Sequence, residues 1–458
     1  MPMLMYEPLV QPGMTRNAAP VSPPVALTIA TSDSGGGAGI QADLKTMEAG
    51  GAFGTSVLVA TTAQNTQGVE SIHTLPTAEI RAQMDAVTDD FDIRAAKTGM
   101  LATADIVETV TDYAREQSFS LVVDPVMVAA SGDRLLEADA EQAYEALVAE
   151  STLVTPNADE AEVLTGVDVT DSARAQQAGE ELVEMGADAA LVKGGHVPGE
   201  DVVDVLVTAD SVETVRHPRV DTDATHGSGC TLSSAIATRL AHGDDLSTAV
   251  QTGIDLLARA VRYNIDVGEG PGAVHHMVAA RDRAERQPTA ERVAELVAQF
   301  VRRDVSPLVP DTGMNVVGAT PYAEVPTECA AVDGKLVETL DGVTATRGVR
   351  FGASTHVVET LLAAREVDAG VRFAANCRLD RETEAALDSI GGGVAEYEAD
   401  NAPTEGAIRD ALAATATTPA AVIDRGGTGR PGTITLLAPE SATLADRVDT
   451  LLDAVREE

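Results

Sequence analysis

Two successive α/β units, the second smaller than the first, are predicted by three features of this chain. Its 458 residues exceed one ordinary core at roughly 150 residues per domain. From Val25 to about His275, short β-branched runs alternate with helical stretches of roughly 10 to 20 residues, the pattern of a mostly parallel sheet covered by helices. Beyond Thr289, strand-like runs lie between two amphipathic helices, AERVAELVAQFVRR and ADRVDTLLDAVREE.

Residues 1–24 have no basic start followed by an apolar run, and Pro8, Pro12, Pro20, Pro23 and Pro24 punctuate them, so they read as a disordered leader rather than a signal peptide. Residues 25–275 supply the strands VALTIAT, TSVLVATT, DIRAAKT, LVVDPV, TLVTP and AALVKGG, with helices such as TADIVETVTDYAREQ and DLSTAVQTGIDLLARAVRYNI between or after them. Residues 276–288, charged and closed by Pro288, are expected to be a linker or a capping helix. Residues 289–458 form the second unit, with VRFAANCRL, GVAEYEA, AAVIDRGG and GTITLLA as strands. No internal repeat relates the halves.

Composition narrows the function. Acidic residues outnumber basic ones 72 to 32, for a formal charge of −40, and lysine is confined to Lys45, Lys97, Lys193 and Lys335. The acids are spread over amphipathic segments rather than gathered in a tail. Such a surface repels itself at low salt and is relieved when the Debye length falls to roughly 3 Å at 1 M, which points to a halophilic source. Nucleic acid is excluded as a partner, because phosphates need a basic face. A membrane-embedded role is excluded too, because no run of roughly 18 apolar residues exists. Cys230, Cys329 and Cys377 are too few and too scattered for a disulfide framework or a zinc site, which fits a reducing cytoplasm. A homo-oligomer is expected.

The most informative segment is DTDATHGSGCTLSSAIATRL, Asp221–Leu240, in which a glycine-containing turn leads into a helix. A helix start leaves backbone N–H groups unpaired and carries partial positive charge, so Gly227, Ser228, Gly229 and Cys230 form a cradle for a phosphoryl group. An ordinary helix start accounts for the glycines alone equally well. Cys230 stands in the first turn, where the same field is expected to lower a thiol pKa and make it a base or hydrogen-bond acceptor.

This segment resembles the active-site signature of the bifunctional hydroxymethylpyrimidine and phosphomethylpyrimidine kinases, which are ribokinase-like. The resemblance spans residues 25–276 through TIATSDSGGGAGIQADLKT, TTAQNTQGV, AAKTGML, LVVDPVM, VTPNADEAEVLTG, LVKGGH and PGAVHH. It implies a ribokinase-like, mostly parallel sheet with flanking helices, and two successive transfers from ATP with Mg2+, first to hydroxymethylpyrimidine and then to its monophosphate. Gln64 would read the aminopyrimidine edge with an amide donor and acceptor, and Asp43 and Met100 would complete that pocket. Asp124, with Asn157 and Glu160 in an Asn-x-x-Glu pattern, would organise Mg2+. Lys193 would neutralise phosphate charge, and His196 would lie near the nucleotide or serve structurally. The chain departs from relatives at Thr31, where they carry Gly, and at Asp223 and Ala224, where they carry Lys-Asn. Gln64, Met100 and Cys230 together argue against a sugar kinase, while a pyridoxal kinase is the closer rival.

The second unit resembles ThiN-type thiamine-phosphate synthase domains through GMNVVGA, RFGASTHVVETLLAA, VRFAANCRLD and VIDRGGTGRPG. The resemblance implies condensation of the pyrimidine diphosphate with thiazole phosphate. Ser354 and His356 open a helix suited to the leaving pyrophosphate, and Arg425 and Arg430 in the Asp424–Gly432 loop would add charge. Lys335 stands where active members carry Arg, which loses the bidentate fork. A thiamine-phosphate sensor is therefore the alternative for this half.

Overall fold

The computed structural model describes residues 21–127, 140–397, 405–415, 417–427 and 431–457, so the expected leader up to Pro20 and Arg430 lie outside the described residues. The chain divides into two compact units, Met1–Met277 and Val278–Glu458. Among the described residues no helix is long and apolar enough to cross a membrane.

In the first unit the strands are β1 (Val25–Ala30), β2 (Phe53–Leu58), β3 (Ala60–Asn65), β4 (Gly68–Thr74), β5 (Ile93–Thr98), β6 (Ser120–Val123), β7 (Leu153–Val154), β8 (Ala189–Val192), β9 (Asp201–Thr208) and β10 (Val212–Pro218). Eight of them form one sheet in the order β10-β9-β8-β7-β6-β5-β1-β2. Neighbours from β2 to β8 are parallel, and β8, β9 and β10 pair antiparallel at one edge. Strand residues alternate between two cores: Leu27 and Ile29 join one, Ala26 joins the other with Ile236 and Leu191. That two-sided burial is what a parallel sheet under two helical layers requires. The ribokinase-like expectation holds.

Two local expectations are revised. TSVLVATT is not one strand: it breaks at Val59, and its second half pairs with β4 as a separate hairpin. β9 and β10 were not foreseen. β10 alternates no apolar face and is largely exposed, so it carries no periodic signal.

The second unit contains β11 (Val316–Ala319), β12 (Cys329–Val332), β13 (Leu336–Thr339), β14 (Gly342–Ala345), β15 (Val349–Phe351), β16 (Phe373–Arg378), β17 (Val394–Tyr397), β18 (Ala421–Asp424) and β19 (Thr433–Ala438). Seven form a sheet in the order β15-β12-β11-β16-β19-β18-β17, antiparallel except for β17 with β18. Apolar cores cover both faces.

Of the linker or capping helix expected at residues 276–288, it is a helix that forms. Residues from Val278 onward form the first half of the helix Val278–Arg303, with Pro288 inside it, and belong to the second unit. Pro288 removes one helical hydrogen bond, but the turns before it are anchored. Buried Asp282 accepts a hydrogen bond from Thr320, and Arg286 lies 4.0 Å over the Phe351 ring while donating to the Thr327 carbonyl at 2.9 Å.

Candidate active site

Strand order reverses where β1 lies between β5 and β2, and ligands of such sheets bind outside the carboxyl ends of the strands near that point. Every parallel strand but the outermost delivers a polar or pocket residue there. Thr31, Ser32 and Asp33 follow β1, Gly99 and Met100 follow β5, Asp124 follows β6, Asn157 stands beyond β7, and Lys193 follows β8. All of these line a cavity of about 590 Å3, together with Gln64, Glu160, His196 and residues 227–230.

The helix Ser228–His242 begins at Gly227, which has φ +82° and whose missing Cβ would lie 1.9 Å from the Gly37 carbonyl oxygen. Only glycine fits there, so the glycine-rich loop 35–39 and the helix start are packed backbone to backbone. A Cβ on Gly229 would lie 3.1 Å from Asp124 Oδ2 and 3.5 Å from Lys193 Nζ. The helix start, the carboxylate and the ammonium therefore converge on one point. Lys193 donates to Asp124 Oδ1 at 3.1 Å and lies 3.8 Å from Glu160. Burial would lower the Lys193 ammonium, but these two carboxylates outweigh it and hold it above its usual range.

The loop is fixed from within by Asp33, which accepts from the N–H groups of Gly35, Gly37 and Ala38 and faces His226 Nε2 at 3.0 Å. His276 Nε2 meets the Gly37 carbonyl at 3.0 Å, and burial holds this imidazole down at about 4, so it is neutral and donates. Gln64 is tied to the same loop by Ser34, whose hydroxyl donates to the Gln64 carbonyl and accepts from its N–H, while the Thr62 hydroxyl orients the Gln64 amide. Met100 is buried in the wall.

Three expectations change. Asp43 does not line the cavity: it is wholly buried beneath it, accepting from Thr28, Lys97 and Ser234 at 2.6, 3.0 and 2.7 Å. Its oxygens are committed to joining β1, β5 and the helix that starts at Ser228. Cys230 is not an acidified thiol: burial pushes it up to about 12, against the pull of Lys97. Asn157 and Glu160 form a capping box, each side chain accepting from the other's backbone N–H at 2.9 and 2.8 Å. Burial also pushes Glu160 up to about 7, despite Lys193. His196 stands at the outer lip, half exposed and 3.1 Å from Asp159.

The remaining polar capacity fits Mg2+. Asp124 is buried and its Oδ2 has no hydrogen-bond partner among the described residues. No group of three His, Cys, Asp or Glu among the described residues forms a metal site by itself. One or two carboxylates completed by phosphate and water is the usual Mg2+ environment.

Sequence reasoning missed Asp33, Lys97, His226 and His276 as site builders. The rarity of lysine was the available signal for Lys97, and Asp33 ahead of three glycines has the form of a turn that bonds its own loop.

In the second unit, His356 opens the helix His356–Val367 and faces buried Asp424 at 3.9 Å. Lys335 donates to the Thr312 carbonyl at 2.5 Å, its stem packed on Gly313. Arg425 is not available as a free cation as expected: Glu396 holds it by two hydrogen bonds and Glu384 lies at 2.7 Å. Buried Asn315 and Asn376, from the first and third motifs, bond each other and the ends of neighbouring strands.

A parallel sheet whose strand ends surround a helix start, a lysine and a carboxylate with an open valence is the layout of a small-molecule phosphotransferase. Residues 33–275 match the family described as phosphomethylpyrimidine kinase, and residues 292–450 match the family described as thiamine-phosphate synthase ThiN. The chain is 46% identical over 264 residues to the hydroxymethylpyrimidine/phosphomethylpyrimidine kinase of Streptomyces coelicolor, covering 57% of this chain and 98% of that one. It is 44% identical to the thiamine biosynthesis bifunctional protein ThiED of Geobacter sulfurreducens, covering 57% of this chain and 54% of that one. The fold is shared with an ADP complex of Bacillus subtilis pyridoxal kinase, with a TM-score of 0.53 and 33% identity over 56% of this chain and 98% of that one. The chain belongs to the phosphomethylpyrimidine kinase family, and its second unit is a ThiN thiamine-phosphate synthase domain.

Proposed function

We propose that the first unit uses MgATP to phosphorylate 4-amino-5-hydroxymethyl-2-methylpyrimidine and then its monophosphate, and that the second condenses the resulting diphosphate with thiazole phosphate to give thiamine phosphate, in the cytoplasm. The convergence of Gly229, Asp124 and Lys193 carries the kinase reading, because phosphoryl transfer needs positioning and charge neutralisation at one point. In this reading Asp124 would hold Mg2+, with Glu160 adding charge beside Lys193, and the ion would supply charge neutralisation on the phosphates. Lys193 and the N–H groups of Gly227–Cys230 bind the transferred phosphoryl oxygens. Gln64 and Met100 orient the pyrimidine, with its hydroxymethyl oxygen toward the helix start. Cys230, protonated at neutral pH, contributes as a hydrogen-bond donor and packing surface beside that oxygen.

Incubation of the full chain with hydroxymethylpyrimidine, MgATP and thiazole phosphate in concentrated KCl, with identification of every phosphorylated product, tests both halves. Pyrimidine diphosphate and thiamine phosphate are expected. Pyridoxal supplied in parallel tests the rival substrate, which the likeness to the pyridoxal kinase favours; a preference for pyridoxal in kcat/KM would replace the pyrimidine reading. For the second unit a binding-only role is favoured by the engagement of Lys335 with Thr312 and of Arg425 with two glutamates. Tight thiamine phosphate binding with no thiamine phosphate formed would establish it.

A further inference from the structure

The wall of the cavity beyond Lys193 is a loop with little structure of its own. Residues 194–199, Gly-Gly-His-Val-Pro-Gly, follow Lys193 and contain three glycines, so the loop has much conformational freedom to lose. Its internal support is one turn bond, from the Val197 N–H to the Gly194 carbonyl. His196 meets Asp159 at 3.1 Å, and the edge hairpin of β9 and β10 supplies further support. Asp204, buried in β9, accepts from the Gly194 N–H at 2.8 Å, and its other oxygen faces His217 Nε2 at 3.6 Å. A Cβ on Gly194 would lie 2.1 Å from the Val203 carbonyl oxygen, so the residue next to Lys193 is pressed against β9. Arg219, just beyond β10, donates Nε to the Gly199 carbonyl at 2.9 Å, Nη1 to Gly195 at 2.7 Å and Nη2 to Val197 at 2.6 Å. Three alternate carbonyls are thus gathered by one planar fork, which lysine cannot reproduce. Asp204 and Arg219 border the same cavity as Lys193 and Asp124.

We propose that Asp204 and Arg219 are positioning residues for the nucleotide, Asp204 fixing the backbone beside Lys193 and Arg219 holding the following loop in the shape that receives ATP. Neither touches the reacting atoms. The inference rests on the reading of ATP as phosphoryl donor. It gives the antiparallel edge a task in binding as well as in closing the sheet.

The test is equilibrium binding of MgADP to the full chain, with steady-state kinetics in ATP and in hydroxymethylpyrimidine. Arg219→Ala should weaken MgADP binding and raise the KM for ATP about tenfold or more, as expected for loss of several charge-assisted hydrogen bonds. Arg219→Lys, which keeps the charge and one donor direction, should fall between Arg219→Ala and the parent. Asp204→Asn should restore what Asp204→Ala loses, since the amide oxygen still accepts from Gly194. The KM for the pyrimidine should stay within about twofold, because the pocket around Gln64 is untouched. Parental MgADP affinity in Arg219→Ala, or equal rises in both KM values in the folded Arg219→Lys variant, would overturn the proposal. A parent chain that binds MgADP but phosphorylates no pyrimidine would overturn the proposed activity and leave the binding comparison to judge the positioning role.

Discussion

Lys97 is fully buried and its charge is paired: it meets Asp43 at 3.0 Å, and Asp43 in turn takes hydroxyls from Thr28 and Ser234. Burial alone would lower this ammonium, but Asp43 outweighs it, and its charge lies close enough to Cys230 to oppose the upward push on the thiol. Breaking such a pair leaves one charge buried and unpaired, which costs several kcal/mol. Lys97→Met alone should therefore unfold the first unit more readily than the double variant Lys97→Met with Asp43→Asn, a comparison that thermal melting would make. With Cys230 pushed up to about 12, it stays protonated across the working range. Kinase activity should then show no ascending limb near pH 8 to 9 that Cys230→Ala abolishes, and the pH profile of kcat measures this. Cys230→Ala itself should lower turnover more than ATP affinity. His276 works in the other direction, because burial depresses it to about 4 from the usual 6.5 of an imidazole. The unfolded chain binds the proton more readily, so the stability contributed is present above about pH 6.5 and is lost as pH falls through about 4. Melting between pH 7 and 4 should fall less steeply in His276→Gln than in the parent.

Elements decide which sequence signals could be trusted. The Asn-x-x-Glu pattern reads in sequence as part of a metal site, and the same spacing is that of a helix capping box, which is how Asn157 and Glu160 are arranged. Asn157→Ala should cost about 1 kcal/mol of stability, while Asn157→Asp, an equally good cap, should cost little. Chemical denaturation separates the two, and equal losses would remove the capping role. The alternating strands, the glycine turn at Gly227 and the strand-end positions of Asp124 and Lys193 were legible because each follows from local pattern. Asp43 was misplaced because its sequence position beside the glycine loop does not reveal that its side chain points back under the sheet toward Lys97. Likewise Pro288 reads as a boundary, but the helix continues through it, with Asp282 and Arg286 anchored to residues of the second unit. A fragment beginning at Val278 should fold cooperatively. One beginning at Thr289 loses both anchors and should melt lower or aggregate, which calorimetry of the two fragments would reveal.

At the scale of the whole molecule the dominant fact is the charge. Even if every one of the 32 basic residues neutralised one acid, 40 carboxylates would remain, and they are distributed along both units. Their mutual repulsion acts over a Debye length of about 10 Å at 0.1 M salt and about 3 Å at 1 M, so adding salt removes it between neighbouring surface groups. The buried pair Lys97 with Asp43 is poorly reached by ions, and salt should leave it nearly unchanged. The folded state should therefore gain stability with salt while the geometry of the kinase site stays the same. Melting temperature without substrates is expected to rise from 0.1 M to about 2 M KCl, with kinase turnover following it once the protein is folded. If screening is the cause, NaCl and KCl at equal ionic strength should act alike, and an uncharged osmolyte such as sucrose should not reproduce the steep rise below about 0.5 M. A melting temperature that is flat across that range would mean the acidic surface is tolerated without salt, and a gain specific to K+ would point to bound ions rather than screening.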